Sequence, residues 1–150
     1  MLMTTGGQLI VQCLLAQGTD RVFCVPGESY LAILDALYDT EIDTIVARQE
    51  GGAAMMAEAD GKATGRPGIC LVTRGPGAAN AMAGIHVAQQ DSTPMIVIIG
   101  QVARAVRGRD AFQEVDFEAT FSTVAKLVIE IDDPDQIPDS MAAAFHTAMN

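Results

Sequence analysis

Residues 44–57, TIVARQEGGAAMMA, join an apolar run to a helix of small residues and place one carboxylate, Glu50, at the junction. Residues 45–47 are predicted to end a buried strand. Gly51 and Gly52 allow a helix to begin at once, because they put no side chain into its first turn. Glu50 is therefore predicted at the carboxyl end of a strand, where open α/β sheets bind ligands. A glutamate that only complements the helix dipole also suits this position, so the stretch alone leaves both roles open.

The alternation of apolar run, turn and helix continues along the chain. Predicted strands lie at residues 21–25, 44–48, 69–73, 95–99 and 126–131. Predicted helices lie between Thr5 and Gly18 and at residues 30–38, 51–64, 78–90, 117–123 and 135–149. Continuous apolar strands alternating with helices are typical of a parallel sheet covered on both faces. The sequence therefore predicts an α/β fold, a three-layer doubly wound and mostly parallel sheet with helices on both faces, as one domain over residues 1–150.

Composition and charge narrow the class of protein. The 150 residues are 49% hydrophobic but only 5% aromatic, so the core must be aliphatic, and the formal net charge of −10 argues against nucleic acid or anionic membrane as partners. Cys13, Cys24 and Cys70 show no CxxC spacing, which indicates reduced thiols in a cytoplasmic protein and no zinc site. We expect no membrane span and, from residues 1–7, no signal peptide.

Three turns follow predicted strands and are expected to converge at one edge of the sheet. They are Pro26-Gly27-Glu28, the junction at Glu50, and residues 73–80, TRGPGAAN. The third turn is not a phosphate-binding P-loop, since it lacks the Lys and Ser/Thr of GxxxxGK(S/T) and Pro76 removes one amide donor. No GxGxxG follows the first strand, so a dinucleotide fingerprint is missing as well.

Several motifs in a fixed order carry a resemblance to a known family. They are RQEGGAA, ADGKATGRPG, CLVTRGPGAANAMAGIHVA, DSTPMIVIIGQ and AFQEVD. In this order and spacing they resemble the pyrimidine-binding domain of thiamine diphosphate enzymes, above all acetolactate synthase and its relatives. The likeness covers essentially the whole chain. Because the GDG motif of the family's second, diphosphate-binding domain is absent, the resemblance implies the N-terminal domain of a longer enzyme.

The resemblance also implies roles for single residues. The glutamate that matches Glu50 hydrogen-bonds a ring nitrogen of the cofactor's pyrimidine and favours its imino tautomer, which activates the thiazolium carbon for attack on a 2-keto acid. Cofactor contacts are implied for Pro26, Gly27, Thr73, Pro76, Gly77 and Asn80. Ordinary turn formation and helix capping are the alternative for these positions. Phe112 and Gln113 match the stretch near the substrate pocket of acetolactate synthases, with a surface loop containing one buried aromatic as the alternative.

Cofactors and partners follow from the same resemblance. Thiamine diphosphate is the implied cofactor, with Mg²⁺ bound by the absent diphosphate-binding domain, no metal ligands in this chain, and FAD as a further candidate in the full-length enzyme. The implied reaction is a transferase-type carboligation of a small-molecule 2-keto acid with loss of carbon dioxide, and the isolated domain is expected to be inactive. A homodimer or homotetramer is implied, and helices 51–64 and 78–90 are its candidate surface.

Two residues depart from the family pattern and leave the substrate open. Glu28 stands where acetolactate synthases usually have glycine, and Arg74 stands where Ser or Gly is commoner. Arg74 could also simply pair with a surface carboxylate. A 2-keto acid decarboxylase or another carboligase is therefore an alternative, and a non-catalytic ligand-binding or interaction domain is an alternative of another class. Arg104, Arg107 and Arg109 are expected in an exposed loop over residues 101–116.

Overall fold

Four strands and six helices make up the part of the chain that the structure, a computed structural model, describes, which is residues 4–150. The signal-peptide prediction falls partly on residues 1–3, which lie outside the described residues. The strands are β1 (Arg21–Cys24), β2 (Asp43–Val46), β3 (Gly68–Val72) and β4 (Met95–Ile99). The helices are α1 (Gly6–Ala16), α2 (Leu31–Tyr38), α3 (Glu50–Thr64), α4 (Pro76–Asp91), α5 (Phe117–Phe121) and α6 (Ile137–Met149).

The strands form one parallel sheet in the order β2-β1-β3-β4. The chain passes from β1 outward to β2 and then crosses back to β3 on the other side of β1. The order therefore reverses between β1 and β3, and ligands of open α/β sheets bind outside the carboxyl ends of the strands at such a point.

Helices cover both faces of the sheet, which confirms the predicted three-layer fold. Val22 and Cys24 of β1 point into a core formed with α1, α2 and α6, whereas Phe23 points into a second core formed with α3, α4 and α5. The central strand β3 is buried along its whole length. Its residues also alternate between the two cores, as the period-two geometry of a strand requires.

Small residues bring α3 against α4 and β3 within the chain. A Cβ on Gly84 would lie 2.5 Å from the Cβ of Ala54, and one on Gly68 would lie 1.8 Å from the carbonyl oxygen of Ala57. Both glycines are therefore required by the close approach of neighbouring backbone. The Ala- and Gly-rich faces of α3 and α4 were the candidate surface for contact between subunits. Part of that surface packs within the chain instead.

The prediction that residues 45–47 end a buried strand is wrong in its burial. The strand forms as β2, but Ile45 is 36% and Val46 is 58% exposed. The reason is topological, because β2 lies at the edge of the sheet and has a strand neighbour on one side only.

The fifth strand predicted at residues 126–131 does not form, since the described residues pair it with no other strand. Side chains anchor this segment instead. The Arg107 guanidinium forms ion pairs with Glu130, at 2.6 Å, and with Asp132. Val128 still packs against the core on the α3 and α4 side, so the apolar pattern reflects packing without backbone pairing.

The three cysteines are free thiols, with Cys24 and Cys70 buried and Cys13 half-buried. Burial raises the pKa of Cys70 to about 12, so this thiol stays protonated at neutral pH. Cys24 and Cys70 belong to opposite cores. No helix within residues 4–150 combines the length and the apolar character needed to cross a membrane.

Candidate functional site

The turns after β1 and β3 meet at the point where the strand order reverses. Thr73, directly after β3, lies between two glycines. A Cβ on Gly27 would lie 1.8 Å from Thr73 Cγ2, and a Cβ on Gly77 would lie 2.5 Å from Thr73 Oγ1. Neither approach is possible with a side chain at the glycine. The structure therefore brings together two of the predicted turns through contacts that only glycine permits.

Glu50 is the first residue of α3 and is half-buried. The side chain of Gln49 caps this helix by accepting a 3.0 Å hydrogen bond from the backbone N–H of Gly52. Glu50 Oε2 accepts a 2.9 Å hydrogen bond from Asn80 Nδ2 on α4, and a Cβ on Gly77 would lie 3.4 Å from Glu50 Oε1. Residues 73–80 and the Glu50 junction therefore contact each other directly, and the turn at Gly27 is joined to them through Thr73.

The surroundings of Glu50 are only partly apolar. Ala53 and Ala54 are fully buried, whereas Val46 and Met55 are exposed. The two alanines follow Glu50 on α3 and are used in the core with α4. The described residues thus leave the carboxylate open on one side, where a bound group or another protein surface can reach it.

Two prolines mark the outer ends of the converging turns. Pro26 follows β1 and is exposed, and Pro76 is exposed at the first position of α4, where its missing N–H costs no helical hydrogen bond. Gly75 precedes Pro76 with a φ of +40°, in the left-handed region that favours glycine. Both prolines stand at the predicted edge, and the structure gives them a role in shaping the turns.

Tyr30 is a residue of this region that the sequence did not single out. Its single hydroxyl hydrogen is shared between the carbonyl oxygens of Val25, the nearer acceptor, and Leu71, at 3.3 Å. It therefore ties the turn after β1 to the end of β3. Burial raises the pKa of Tyr30, so the hydroxyl keeps its proton and remains a donor. The sequence offered one sign of this role, a tyrosine that closely follows a Pro-Gly turn.

The AFQE segment, residues 111–114, sits on the turn between β3 and α4. Arg74 Nε donates a 3.1 Å hydrogen bond to the carbonyl oxygen of Phe112. The carbonyl oxygen of Gln113 lies 2.8 Å from where a Cβ of Gly75 would be, and Gln113 has a left-handed φ of +62°. Phe112 is 76% exposed, so the segment lies at the surface and does not bury this aromatic within the chain.

The loop that carries three arginines is largely exposed, as predicted, and hydrogen bonds tie it together. Glu114 accepts hydrogen bonds from the backbone N–H groups of Gly108, at 2.5 Å, and Ala111, at 2.9 Å. These bonds hold the pKa of Glu114 below its usual value. Arg104 donates to the carbonyl oxygen of Asp132 at 2.5 Å, which fixes the other side of the loop.

The donor set fits the pyrimidine ring that the resemblance implies. Glu50 would offer a carboxylate to a ring nitrogen, and Asn80 orients that carboxylate through its hydrogen bond. The described residues contain no group of three His, Cys, Asp or Glu side chains that could hold a metal ion. The arrangement can therefore hold and share one proton with a bound heterocycle.

Comparison with known proteins gives consistent matches. Residues 4–120 match the family model described as "Thiamine pyrophosphate enzyme, N-terminal TPP binding domain". The chain is 41% identical over 143 residues to acetolactate synthase of Bacillus subtilis (strain 168), which covers 95% of this chain and 25% of that protein. It is also 41% identical over 143 residues to acetolactate synthase isozyme 2 large subunit of Escherichia coli (strain K12), again covering 95% of this chain.

A probable acetolactate synthase large subunit of Methanocaldococcus jannaschii is 40% identical over 143 residues, which cover 95% of this chain and 24% of that protein. The chain spans about a quarter of the length of the curated relatives that it matches. These matches confirm the resemblance inferred from the motifs.

Proposed function

Because the chain belongs to the family of thiamine pyrophosphate enzyme N-terminal TPP binding domains, we propose that it is the pyrimidine-binding domain of a longer acetolactate synthase-like enzyme. That enzyme condenses 2-keto acids with loss of carbon dioxide. The domain covers residues 1–150, and a diphosphate-binding domain lies elsewhere in the complete protein. The single observation that supports the proposal most strongly is the hydrogen bond from Asn80 to Glu50, which joins two of the predicted turns.

Glu50 is the catalytic residue in this proposal. Its carboxyl would share a proton with a ring nitrogen of the cofactor's pyrimidine, and Asn80 Nδ2 fixes the carboxyl by donating to Oε2. The chemistry that thiamine diphosphate supplies when bound is carbanion stabilisation, which allows a 2-keto acid to lose carbon dioxide. Fixing the carboxyl in advance matters, because a proton moves efficiently only between groups held at hydrogen-bond distance.

The turns place the ring against that carboxyl. The ring contacts Pro26, Gly27, Thr73, Pro76 and Gly77. Thr73 holds the two turns together by packing against both glycines. Phe112 and Gln113 line the substrate pocket, because the AFQE segment rests on the turn that carries Thr73 and Gly77. The exposed Phe112 ring then contacts the 2-keto acid or its acceptor.

Further parts of the proposal concern the complete protein. Mg²⁺ and the diphosphate bind outside this chain, and FAD is a candidate second cofactor there. A homodimer or homotetramer forms through the parts of α3 and α4 that do not face each other, with Met55 exposed on α3 as a contact. The free thiols support a reducing compartment, the cytoplasm.

The test is turnover of the complete protein with thiamine diphosphate, Mg²⁺ and pyruvate, with acetolactate and acetaldehyde measured separately. Acetolactate supports the synthase. Acetaldehyde as the sole product assigns a decarboxylase instead, and absence of thiamine diphosphate binding refutes the enzyme proposal. Flavin absorbance of the purified protein and its sedimentation decide the FAD and oligomer parts.

A further inference from the structure

The two residues that depart from the family pattern contact each other. Glu28 lies in the turn after β1, Arg74 lies in the turn after β3, and 46 positions separate them in sequence. Arg74 Nη2 donates to Glu28 Oε1 at 2.5 Å. The pair therefore bridges the same two turns that Thr73 joins through Gly27 and Gly77.

This ion pair differs from an ordinary surface pair in its burial. The Arg74 side chain is only 11% exposed, although that of Glu28 is 73% exposed. Surface pairs contribute little, but a guanidinium removed from water must find partners for its donors. Arg74 satisfies this need with the Glu28 carboxylate and, through Nε, with the carbonyl oxygen of Phe112 at 3.1 Å.

The second contact connects the pair to the AFQE segment. Gln113 is held in a left-handed conformation, and its carbonyl oxygen lies close to Gly75. A non-glycine residue keeps such a backbone only where the surroundings impose it. Glu114 holds the segment from one side through the amides of Gly108 and Ala111, and Arg74 holds it from the other.

We propose that Arg74 is a positioning residue that fixes the AFQE segment over the cofactor turns, and that Glu28 fixes Arg74. Through the place it gives to Phe112 and Gln113, the pair determines which 2-keto acids the site accepts. The planar fork of arginine suits this task, because two of its N–H groups bind a carboxylate and a carbonyl at once. The specificity part of this proposal rests on the proposed function.

The first test is amide hydrogen exchange of the complete protein carrying Arg74→Lys. Lysine keeps the charge and can pair with Glu28, but it offers no fork for the Phe112 carbonyl. We expect the amides of Gly108, Ala111 and Glu114 to exchange about tenfold faster, because the segment opens more often. Unchanged exchange overturns the proposal whether or not the protein turns over a 2-keto acid.

The matched control is Arg66→Lys at the other end of β3. The Arg66 guanidinium makes the same kind of double contact, with the Gly18 carbonyl at 3.0 Å and the Asp20 carboxylate at 2.8 Å. It leaves the AFQE segment untouched, so exchange there should equal that of the parent protein. If the amides of the AFQE segment exchange equally faster in Arg74→Lys and Arg66→Lys, the protein is destabilised in general. That result would overturn the positioning role.

The second test separates KM from kcat in the same protein. Arg74→Lys should raise the KM for the 2-keto acid about tenfold while kcat and thiamine diphosphate affinity change less than about twofold. Glu28→Gln should shift KM in the same direction by less, since the Phe112 contact survives. Faster exchange with unchanged KM, or a primary loss of thiamine diphosphate affinity, overturns the specificity role. Absence of turnover in the parent protein refutes the proposed function, and the exchange result then decides the positioning role alone.

Discussion

Asn80 Nδ2 donates a 2.9 Å hydrogen bond to Glu50 Oε2 and so joins the second turn of α4 to the first residue of α3. The two residues lie 30 positions apart in sequence. They meet because the strands that precede their helices end at one edge of the same parallel sheet. The relationship gives Glu50 a fixed orientation, which a glutamate that only complements a helix dipole does not need.

Asn80→Asp should lower turnover of the complete protein. The substitution replaces the amide that donates to Glu50 Oε2 with a second carboxylate, so the hydrogen bond is lost and the two carboxylates repel each other. We expect kcat to fall about tenfold, the size expected for losing one hydrogen bond to a charged group. Gln90→Glu, the same change in charge near the end of α4, is the control. An unchanged kcat in Asn80→Asp would contradict the role given to the contact.

Gly77→Ala should destabilise the protein by about 1–3 kcal/mol, because the new methyl group would lie 2.5 Å from Thr73 Oγ1. The same methyl group reaches the space beside Glu50, so thiamine diphosphate affinity should fall as well. The urea midpoint and a binding titration measure the two effects.

Gly52→Ala serves as the comparison for Gly77→Ala, since a Cβ at Gly52 meets nothing within 4 Å. It lies in the first turn of α3 and should be neutral or stabilising by about 0.5–1 kcal/mol. Equal effects of the two alanines on the urea midpoint would contradict the close packing at Thr73.

Tyr30→Phe should lower stability by about 0.5–1.5 kcal/mol, because the carbonyl oxygens of Val25 and Leu71 lose their donor. Tyr38→Phe is the matched control, since its side chain is 87% exposed and its change should stay within about 0.5 kcal/mol. Urea unfolding of both variants measures the difference. A Tyr30→Phe protein as stable as the control would show that the hydroxyl does not hold the turn.

The loop that Glu114 closes should open more often at acidic pH. Its folded pKa lies below the unfolded value of about 4.3, so its stabilising contribution is present above that pH and is lost as pH falls through the folded pKa. Amide exchange at Gly108 and Ala111 should therefore accelerate below about pH 4, beyond its intrinsic pH dependence. Glu114→Gln should exchange fast at neutral pH already. Slow exchange in that variant would contradict the prediction.

Local sequence patterns were sufficient for four of the five predicted strands and for the meeting of Glu50 and Asn80. The apolar runs predicted the four strands within one or two residues, because continuous hydrophobic segments between turns are typical of parallel sheets. The convergence of Glu50, Thr73 and Asn80 followed from strand ends meeting at one edge. The identities of the side chains at those ends then carried the resemblance to the family.

Tertiary features lay beyond the sequence. A central strand and an edge strand can have the same apolar sequence pattern. The exposure of β2 could therefore not be inferred from its sequence. Residues 126–131 carry a strand pattern, yet ion pairs from Arg107 hold them without backbone pairing. The contact between Glu28 and Arg74 forms because β1 and β3 are neighbours in the sheet. The local sequence of neither strand predicts this strand order.

The most direct test of the central claim is turnover of the complete protein with pyruvate, thiamine diphosphate and Mg²⁺ after Glu50→Gln. Glutamine can still accept the Asn80 hydrogen bond but cannot hold the shared proton. The account predicts a loss of about 100-fold or more in kcat with the fold intact by circular dichroism. Glu118→Gln, which removes another glutamate from the first turn of a helix, should keep full activity. A Glu50→Gln protein as active as the Glu118→Gln control would contradict the account. Glu50 would then only complement the dipole of α3.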